Sequence, residues 1–451
     1  MFQQTRKKKE LFLLALFLLF SLLFVLWFLS ESGGILFYPQ WKNVDGHLYY
    51  TPVSRNLFPL FPLLVLGVDA GALFLTLWGL RRQVYLASFA VCLGTLLLFS
   101  ITLQAFFSGY AKHLLTLLVG VAVLLAAFWF SRTRPGLCQL PKGVSLSHLL
   151  VVLIVVLAVA CPLLGREVNG ARAWIYLGPL SLQPGQLLMP LLAWYAASRF
   201  PCRDQKQVLP FFLLSGLSIL CLVYVKDLGN AAILVVLMLV ACWYLTDRFV
   251  LCAGLSFCCV SSLMILLQKR PDLAHRFNSF QGFDAVGSQQ YQALYALLHS
   301  GLHGSGVGQE AEYLLSTQVT FAQNDLVSVL PLGIFGLGAM VLLLLAFSGL
   351  ILSPARNPAA SPYHVVLHSS AVSLLFAQGL LNLGGAYNVL PFTGVCFPLL
   401  STGGSSMVST FALLGFCLSD LVWGGCGAAS SSFHPGLLTR HQFLSFRRCF
   451  K

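Results

Sequence analysis

Charged residues are scarce in this sequence, and their scarcity excludes most classes of soluble protein. Only 9% of the 451 residues are charged, whereas 58% are hydrophobic, and the mean hydropathy is +0.83. A soluble domain carries about 25% charged residues. We therefore predict a polytopic membrane protein built from apolar helices.

Acidic residues are rarer than basic ones, with 14 Asp and Glu against 27 Lys and Arg. The net charge is therefore +13. In a soluble protein such an excess would suggest nucleic-acid binding. In a membrane protein it is typical of cytoplasmic loops that face anionic lipid, so we expect membrane lipid and no nucleic acid as a partner. The 13 cysteines lie mostly within apolar runs, without disulfide or metal-ligand spacing, which indicates packing residues.

The chain lacks the pattern of a cleavable signal peptide at its N-terminus. Arg6 to Lys9 precede an apolar run at 11–29, which is longer than the apolar core of about 7–15 residues in a signal peptide. We predict a retained membrane helix there, and twelve spans in all. The predicted spans are 11–29, 57–80, 84–106, 114–131, 148–164, 187–199, 208–225, 229–246, 249–268, 326–352, 364–386 and 397–424.

Basic residues distribute unequally between the two sides of this predicted topology. With the N-terminus in the cytoplasm, two thirds of the 27 lysines and arginines fall in cytoplasmic segments. Because cytoplasmic loops carry the excess of basic residues, this orientation is favoured, with both termini inside. The segment 269–325 then lies outside, together with the shorter loops at 165–186, 226–228 and 387–396.

Long polar segments are missing from the chain except for the one from Lys269 to Asp325. Within it, the pattern predicts a short amphipathic helix at Tyr291–Leu298 and a glycine-rich turn at Gly301–Gly308. A loop of this length in a compact protein is usually functional or disordered, and its aromatic and glycine content favours an ordered one. Asp325 closes the loop at the membrane boundary and is a candidate general base, with helix capping as the alternative role.

Two shorter outer segments carry further candidate groups. In Gly165–Gln186, Arg172 follows Glu167 and Asn169, and a guanidinium group can hold a phosphate through two parallel hydrogen bonds. In Lys226–Asn230, Asp227 lies between two apolar runs. It would bind substrate, pair with Lys226, or cap the following helix.

The last outer segment, Asn388–Met407, contains prolines and a Gly-Gly-Ser-Ser cluster that interrupt a helix near membrane depth. Irregular backbone at that depth must be buried in protein or line a polar cavity. Ser405 and Ser406 have no base at a recognisable spacing, so we do not interpret them as nucleophiles.

These four motifs, in this order, resemble the SEDS family of bacterial membrane proteins, the FtsW/RodA/SpoVE group. The resemblance covers about residues 148–424. It rests on Glu167–Arg172 with Trp174 and Gln183-Pro184, Asp227–Gly229, Tyr291-Gln292 with the glycine series, and the residues Pro391, Thr393, Gly394, Pro398, Ser401 and Gly403–Ser406.

The resemblance implies an all-α, polytopic membrane bundle with a ten-span core. Two extra N-terminal spans would precede that core. We therefore divide the chain into the extra spans at 1–83, the core at 84–424 and a basic cytoplasmic tail at 425–451. The bacterial cytoplasmic membrane would be its location.

The resemblance also implies an enzyme, a peptidoglycan glycosyltransferase that polymerises lipid II into glycan strands at the outer face of the membrane. It would serve cell elongation or division together with a class B penicillin-binding protein, the transpeptidase. Asp325 would be the catalytic base, and Arg172 and Arg276 would offset the charge of the leaving pyrophosphate, alone or with a divalent cation such as magnesium or manganese. The other implied substrate-binding residues are Glu167, Asn169, Asp227, Gln292, Ser405 and Ser406.

The chain departs from the family pattern at several charged positions. Lys226 replaces a proline, Gln186 replaces a glutamate and Met189 replaces a lysine. The Pro-Glu pair before the aspartate is absent, and Gly333-Ile334 stand where paired glutamates are expected. These losses keep a catalytically idle scaffold for a penicillin-binding protein as an alternative. A transporter of lipid-linked precursors is another, although its binding site would be expected at the bilayer midplane.

Overall fold

The computed structural model describes residues 35–44, 47–56, 83–105, 110–131, 146–168, 171–178, 180–199, 205–246, 249–269, 302–305, 323–352, 362–387 and 389–423. Several predictions concern residues outside these ranges. They are the spans at 11–29 and 57–80, the helix at Tyr291–Leu298, the tail at 425–451, and the site candidates Asn169, Arg276 and Gln292.

Apolar helices make up most of the described chain. They are α1 (Gln83–Ala105), α2 (Tyr110–Phe130), α3 (Leu146–Leu164), α4 (Pro184–Ser198), α5 (Gln205–Tyr224), α6 (Leu228–Thr246), α7 (Phe249–Lys269), α8 (Leu330–Phe335), α9 (Leu337–Leu352), α10 (Pro362–Ala386) and α11 (Gly404–Trp423). The predicted helical membrane bundle is thereby confirmed, because a helix satisfies its own backbone hydrogen bonds within the bilayer.

Helix length separates two groups within this bundle. Among the described residues, four helices are long and apolar enough to cross a membrane, and they are Ser88–Ala105, Tyr110–Phe130, Leu228–Leu245 and Tyr363–Ala386. Shorter apolar helices include His148–Leu164 and Val208–Tyr224. The number of spans stays a prediction.

Short antiparallel strands add to the helices in segments predicted as polar loops. Strands β1 (Ile35–Val44) and β2 (His47–Asn56) form a hairpin in which Trp41 and Tyr50 are paired in register. Strands β3 (Arg166–Val168), β4 (Ala171–Leu177) and β5 (Leu180–Leu182) form a small sheet between α3 and α4. This sheet carries the first site motif.

The core centres on α4, which packs against α3, α5, α6, α10 and α11. Its side chains from Leu188 to Ala197 are almost all fully buried. Helices α2 and α11 also lie close together, since Gly120 contacts the ring of Phe411 and Gly415 approaches the backbone of Leu124. Small residues allow helix backbones such a close approach in membranes.

The predicted single span at 326–352 is wrong in one respect, because the helix is interrupted. A 3₁₀ turn at Val327–Val329 and α8 precede Gly336, whose φ of 82° ends α8 before α9 begins. A Cβ at Gly336 would lie 2.6 Å from the carbonyl oxygen of His303. The segment Leu302–Ser305 of the long loop packs into this break, with Leu337 N–H donating to Leu302 O at 2.9 Å.

The last predicted span, 397–424, also begins later than expected. Helix α11 begins at Gly404, and residues 391–403 form irregular backbone in which 395–401 are buried. The prolines and glycines of this segment are poor at continuing a helix. Residues 389–403 are called the re-entrant loop below.

Candidate functional site

The predicted motifs meet at one end of the helical bundle. Gln183 links two of them, because its side-chain amide donates to Asp227 Oδ2 at 3.0 Å and its backbone N–H donates to Ser405 Oγ at 2.9 Å. Thr402 N–H of the re-entrant loop donates to Gln323 O at 3.2 Å. The motifs before α4, α6, α8 and α11 therefore form one connected site.

Asp227 is positioned by the helix ends on both sides of it. The chain leaves α5 in a Schellman motif, in which Asp227 N–H donates to Leu222 O at 2.9 Å and Lys226 N–H donates to Val223 O at 3.2 Å. Lys226 has a φ of 67°. A proline, with φ locked near about −65°, could not adopt this turn. The replacement of the family's proline by Lys226 is therefore matched by a turn that a proline could not form.

The Asp227 carboxylate is buried in an amide environment. Oδ2 accepts hydrogen bonds from Gln183 Nε2 at 3.0 Å and from Asn230 Nδ2 at 2.8 Å. Burial raises the pKa of Asp227, and the hydrogen bonds from Asn230 and Gln183 oppose that rise. Asp227 also caps α6, although its contact with Asn230 N–H is long at 3.4 Å.

Further amides extend from Asp227 into the core. Gln186 Nε2 donates to Asn230 Oδ1 at 2.8 Å, and Gln378 on α10 donates to Gln186 Oε1 at 3.0 Å and lies 3.1 Å from Met189 Sδ. Gln186 and Met189 are the positions where the resemblance implies a carboxylate and a lysine. A neutral amide network therefore connects α4, α6 and α10 at these positions.

Asp325 lies in the turn that precedes the 3₁₀ segment. Leu326 is the N-cap of that segment, and no side chain caps it, so the alternative capping role of Asp325 is not seen. Burial raises the pKa of Asp325 from 3.8 to about 7. A general base works best when its pKa lies near the operating pH.

The re-entrant loop approaches both carboxylates. Gly394, with a φ of 65°, lies so close to Asp325 that an added Cβ would be 3.5 Å from Oδ2. Gly229, two residues after Asp227, packs against Thr393 of the loop. A Cβ added at Gly229 would lie 3.2 Å from the carbonyl oxygen of Thr393. A side chain at Gly229 would lie between α6 and the loop, and a side chain at Gly394 would lie between the loop and Asp325.

Cys396 of the re-entrant loop interacts electrostatically with both carboxylates. Burial, and then the charges of Asp325 and Asp227, raise the pKa of Cys396 to about 12. Coulomb interactions of this kind weaken with distance and screening. Asp325 and Asp227 therefore both lie near the Cys396 thiol.

Arg172 and Glu167 lie on the neighbouring sheet, at the exposed edge of the site. Arg172 Nε is 3.5 Å from Glu167 Oε2, and both side chains are more than half exposed. Exposed ion pairs contribute about 0–1 kcal/mol, so this pair can open to bind an anion. Arg172 N–H donates to Val225 O at 2.9 Å, which fixes β4 against the turn that carries Asp227.

Ser405 and Ser406 lie in the first turn of α11 and are buried. The Ser405 hydroxyl already accepts a hydrogen bond from Gln183 N–H, and the Ser406 hydroxyl bonds the Cys396 thiol. Both serines therefore hold loops together in this structure. Their role in substrate binding stays a prediction.

Metal binding has limited support from the described residues. In the ranges that the structure describes, no group of three or more His, Cys, Asp or Glu side chains is arranged to hold a metal ion. Asp325 and Asp227 alone do not complete a coordination shell of about six oxygens, as magnesium requires.

Sequence reasoning missed three amide side chains that the structure places in or beside the site. Gln104, Gln378 and Asn382 lie in apolar helices and are fully or almost fully buried. A signal was present, since polar residues within membrane helices commonly make interhelical hydrogen bonds. The pattern does not indicate which residue each amide contacts.

The fold and the site define a polytopic helical membrane protein with a buried carboxylate at the junction of its loops. The profile of the FtsW/RodA/SpoVE family, described as cell cycle protein, matches residues 81–420. The chain therefore belongs to this family. The match begins after the predicted extra spans.

Curated relatives agree with that assignment, and a solved structure has the same fold. The chain is 32% identical over 383 residues to a probable peptidoglycan glycosyltransferase FtsW of Synechocystis sp., with 80% of this chain and 92% of the relative covered. It is 29% identical to the stage V sporulation protein E of Bacillus subtilis, with 60% of this chain and 78% of that protein covered. A chain of a peptidoglycan synthase complex has the same fold, with a TM-score of 0.51, 23% identity, and 80% and 96% coverage.

Proposed function

We propose that this protein is a peptidoglycan glycosyltransferase that polymerises lipid II into glycan strands in cell elongation or division. Family membership and the relatives named as peptidoglycan glycosyltransferases support the activity. The observation that carries it is Asp325, a carboxyl group with a pKa of about 7 at the point where the four motifs meet. The departures at Gln186 and Met189 leave Asp325, Asp227 and Arg172 in place.

Glycan transfer forms a bond between the 4-hydroxyl oxygen of an acceptor sugar and the anomeric carbon of a lipid-linked donor. In our proposal, Asp325 accepts the hydroxyl proton as that oxygen attacks. The bond from the anomeric carbon to the pyrophosphate oxygen breaks, and undecaprenyl pyrophosphate leaves with the electron pair. Arg172, together with Arg276 outside the described residues, would offset the charge that builds on the leaving group.

A divalent cation is a further part of the proposal that the described side chains do not support by themselves. Magnesium or manganese would need pyrophosphate oxygens and water to complete its ligand set.

Purified protein incubated with fluorescent lipid II tests the proposed function directly. We expect a ladder of glycan strands after gel electrophoresis. Reactions without protein and with the Asp325→Asn variant are the controls. Absence of a ladder, with lipid II still bound and a transpeptidase co-purifying, would favour the idle scaffold instead.

We further propose a class B penicillin-binding protein as the partner, packed on the core spans around 326–386. A solved relative of the same fold belongs to a peptidoglycan synthase complex. Large apolar side chains on the outer faces of α9 and α10 are exposed, including Leu337, Leu345, Phe376 and Leu380. Lipid or a single transmembrane helix would cover such a surface.

We propose the bacterial cytoplasmic membrane as the location, with both termini inside and the site outside. The bias of basic residues toward one side supports this orientation. In a cysteine-free background, a membrane-impermeant thiol reagent applied to spheroplasts should label a cysteine at Gln290 but not one at Arg440. Both positions should react after permeabilisation, which controls for accessibility. The reverse pattern in intact spheroplasts would invert the topology and move the site to the cytoplasm.

A further inference from the structure

Two buried amide side chains bridge the Asp325 turn to the re-entrant loop. Gln104, near the end of α1, donates from Nε2 to Gln323 O at 3.0 Å and to Leu400 O at 2.8 Å. Asn382, near the end of α10, donates from Nδ2 to Asp325 O at 2.8 Å and to Val395 O at 2.7 Å. Each amide thus connects one carbonyl before or at Asp325 with one carbonyl of the loop.

The donors of both amides are fully used by these bridges. A side-chain NH₂ group carries two hydrogens, and here each hydrogen serves a different backbone carbonyl. Gln104 is 0% exposed and Asn382 is 2% exposed, so water does not replace either bond. Among the described residues, neither amide oxygen has a hydrogen-bond partner. An unpaired buried polar group costs about 1–3 kcal/mol, so each amide can stabilise the structure only through its two donors.

The loop side of the bridges needs this support because it is strained. Leu399 has a φ of 67°, a left-handed conformation that costs a non-glycine residue about 1–2 kcal/mol. Ser100 Oγ donates to Leu399 O at 2.5 Å. Ser100 and Gln104 are one helical turn apart and therefore share one face of α1. That face holds Leu399 and Leu400 while it also holds Gln323.

A third contact completes the attachment of the turn. Ser401 Oγ donates to Asn324 O at 2.7 Å and accepts from Phe397 N–H at 2.9 Å. The carbonyls of three successive residues, Gln323 to Asp325, are thus each bound by a different side chain. The carboxylate of Asp325 takes no part in these contacts and stays available.

We propose that Gln104 and Asn382 form an amide clamp that positions Asp325 against the re-entrant loop. They are positioning residues, because they act through backbone carbonyls and touch neither the Asp325 carboxylate nor a reacting atom. The catalytic consequence rests on the proposed function of Asp325, whereas the geometric consequence does not. Among the described residues, the titratable side chains near the clamped region are Cys396 of the loop, Asp227 beside that thiol, Tyr387 after α10 and His113 on α2.

Two variants remove the donors with little change in side-chain size, Gln104→Met and Asn382→Leu. The first readout is modification of Asp325 by dicyclohexylcarbodiimide, which reacts with protonated carboxyl groups, measured by mass spectrometry against pH. In the unmodified chain, half-maximal labelling is expected near pH 7, since burial raises the Asp325 pKa to about 7. Loosening the turn admits water, so the midpoint should fall by about 1 pH unit or more toward 3.8 in either variant.

Polymerisation kinetics give the second readout. We expect kcat to fall about 10–100-fold with KM changed by less than about twofold, because small misplacement of a catalytic group reduces the chemical step. The acidic limb of the pH–rate profile should move to lower pH in parallel with the labelling midpoint. Thr95→Val is the matched control on α1, since its hydroxyl bonds Val91 O within the same helix at 2.9 Å and should leave both readouts unchanged.

The outcomes separate the clamp from its alternatives. An unchanged labelling midpoint in both variants, or a rate reduced equally at every pH, would overturn the proposal and leave the amides merely structural. If the apolar variants do not fold, Gln104→Asn keeps both donors on a shorter side chain and should give an intermediate shift. If the clamp variants shift the labelling midpoint but a separate Asp325→Asn protein still polymerises lipid II, the clamp is supported and the catalytic assignment of Asp325 is refuted.

Discussion

Asp325→Asn should abolish the glycan ladder while the protein remains folded. Asparagine keeps the shape of the side chain and removes the proton acceptor. Asp325 makes no capping hydrogen bond that the substitution could break, and its backbone carbonyl remains available to Asn382. Loss of a general base typically reduces the rate by about 10²–10⁴-fold. Lipid II turnover by purified protein at pH 8 measures the effect.

The same substitution should change stability in a pH-dependent way. The folded-state pKa of about 7 lies above the ordinary 3.8, so ionisation of Asp325 opposes folding at high pH. At pH 8 the asparagine variant should therefore melt at a higher temperature than the unmodified chain. Its free energy of unfolding should rise by up to about 1.4 kcal/mol for each unit by which the pKa of Asp325 is raised. That advantage should disappear as the pH falls below about 4, where both folded and unfolded aspartate are protonated.

Glu167→Gln is the control for this stability measurement, because it removes a carboxylate that is more than half exposed. Its melting temperature should follow that of the unmodified chain across the pH range.

An Asp325→Asn protein that polymerises lipid II at nearly the normal rate would move the chemistry elsewhere. Asp227 and Glu167 would then be the next carboxylates to test.

Asp227→Ala should destabilise the protein strongly, whereas Asp227→Asn should not. Alanine removes the oxygen that accepts hydrogen bonds from Gln183 and Asn230. Each buried donor left without a partner costs about 1–3 kcal/mol, and loss of the α6 cap adds about 1 kcal/mol. Asparagine can place its carbonyl oxygen at the Oδ2 position and satisfy both side-chain donors, so that it loses only the long contact of Oδ1 with Asn230 N–H. Thermal unfolding in detergent compares the two variants.

Lipid II binding distinguishes the structural role of Asp227 from a direct role with substrate. If the charge contacts substrate, Asp227→Asn should fold normally and bind lipid II more weakly. If the acceptor oxygen alone matters, the asparagine variant should match the unmodified chain in both measurements. Equal instability of the alanine and asparagine variants would contradict the hydrogen-bond account, because asparagine keeps the acceptor oxygen at the Oδ2 position and alanine removes it.

Hydrophobic runs were sufficient to predict most of the helices. From 84–106 onward, each predicted run corresponds to a helix of the structure, because a long apolar run in a bilayer has few alternatives to helix. The interruption at Gly336 was not predicted. Its positive φ depends on the approach of His303 from the long loop, a contact between residues 33 positions apart in sequence that no local pattern contains.

By itself, the sequence determined the class of the protein and most of the helical runs, and it singled out two carboxylates as candidates for the chemistry. Scarce charge and boundary placement were enough to select Asp325 and Asp227, since a carboxylate is costly to bury without a purpose. Only the tertiary structure decided which groups surround them. It places the Asp227 carboxylate among amides, exposes the Arg172–Glu167 pair, and brings Gln104 and Asn382 to the backbone around Asp325. These contacts join residues as much as 296 positions apart, for example Gln104 and Leu400. They depend on how the helices pack, which local periodicity does not specify.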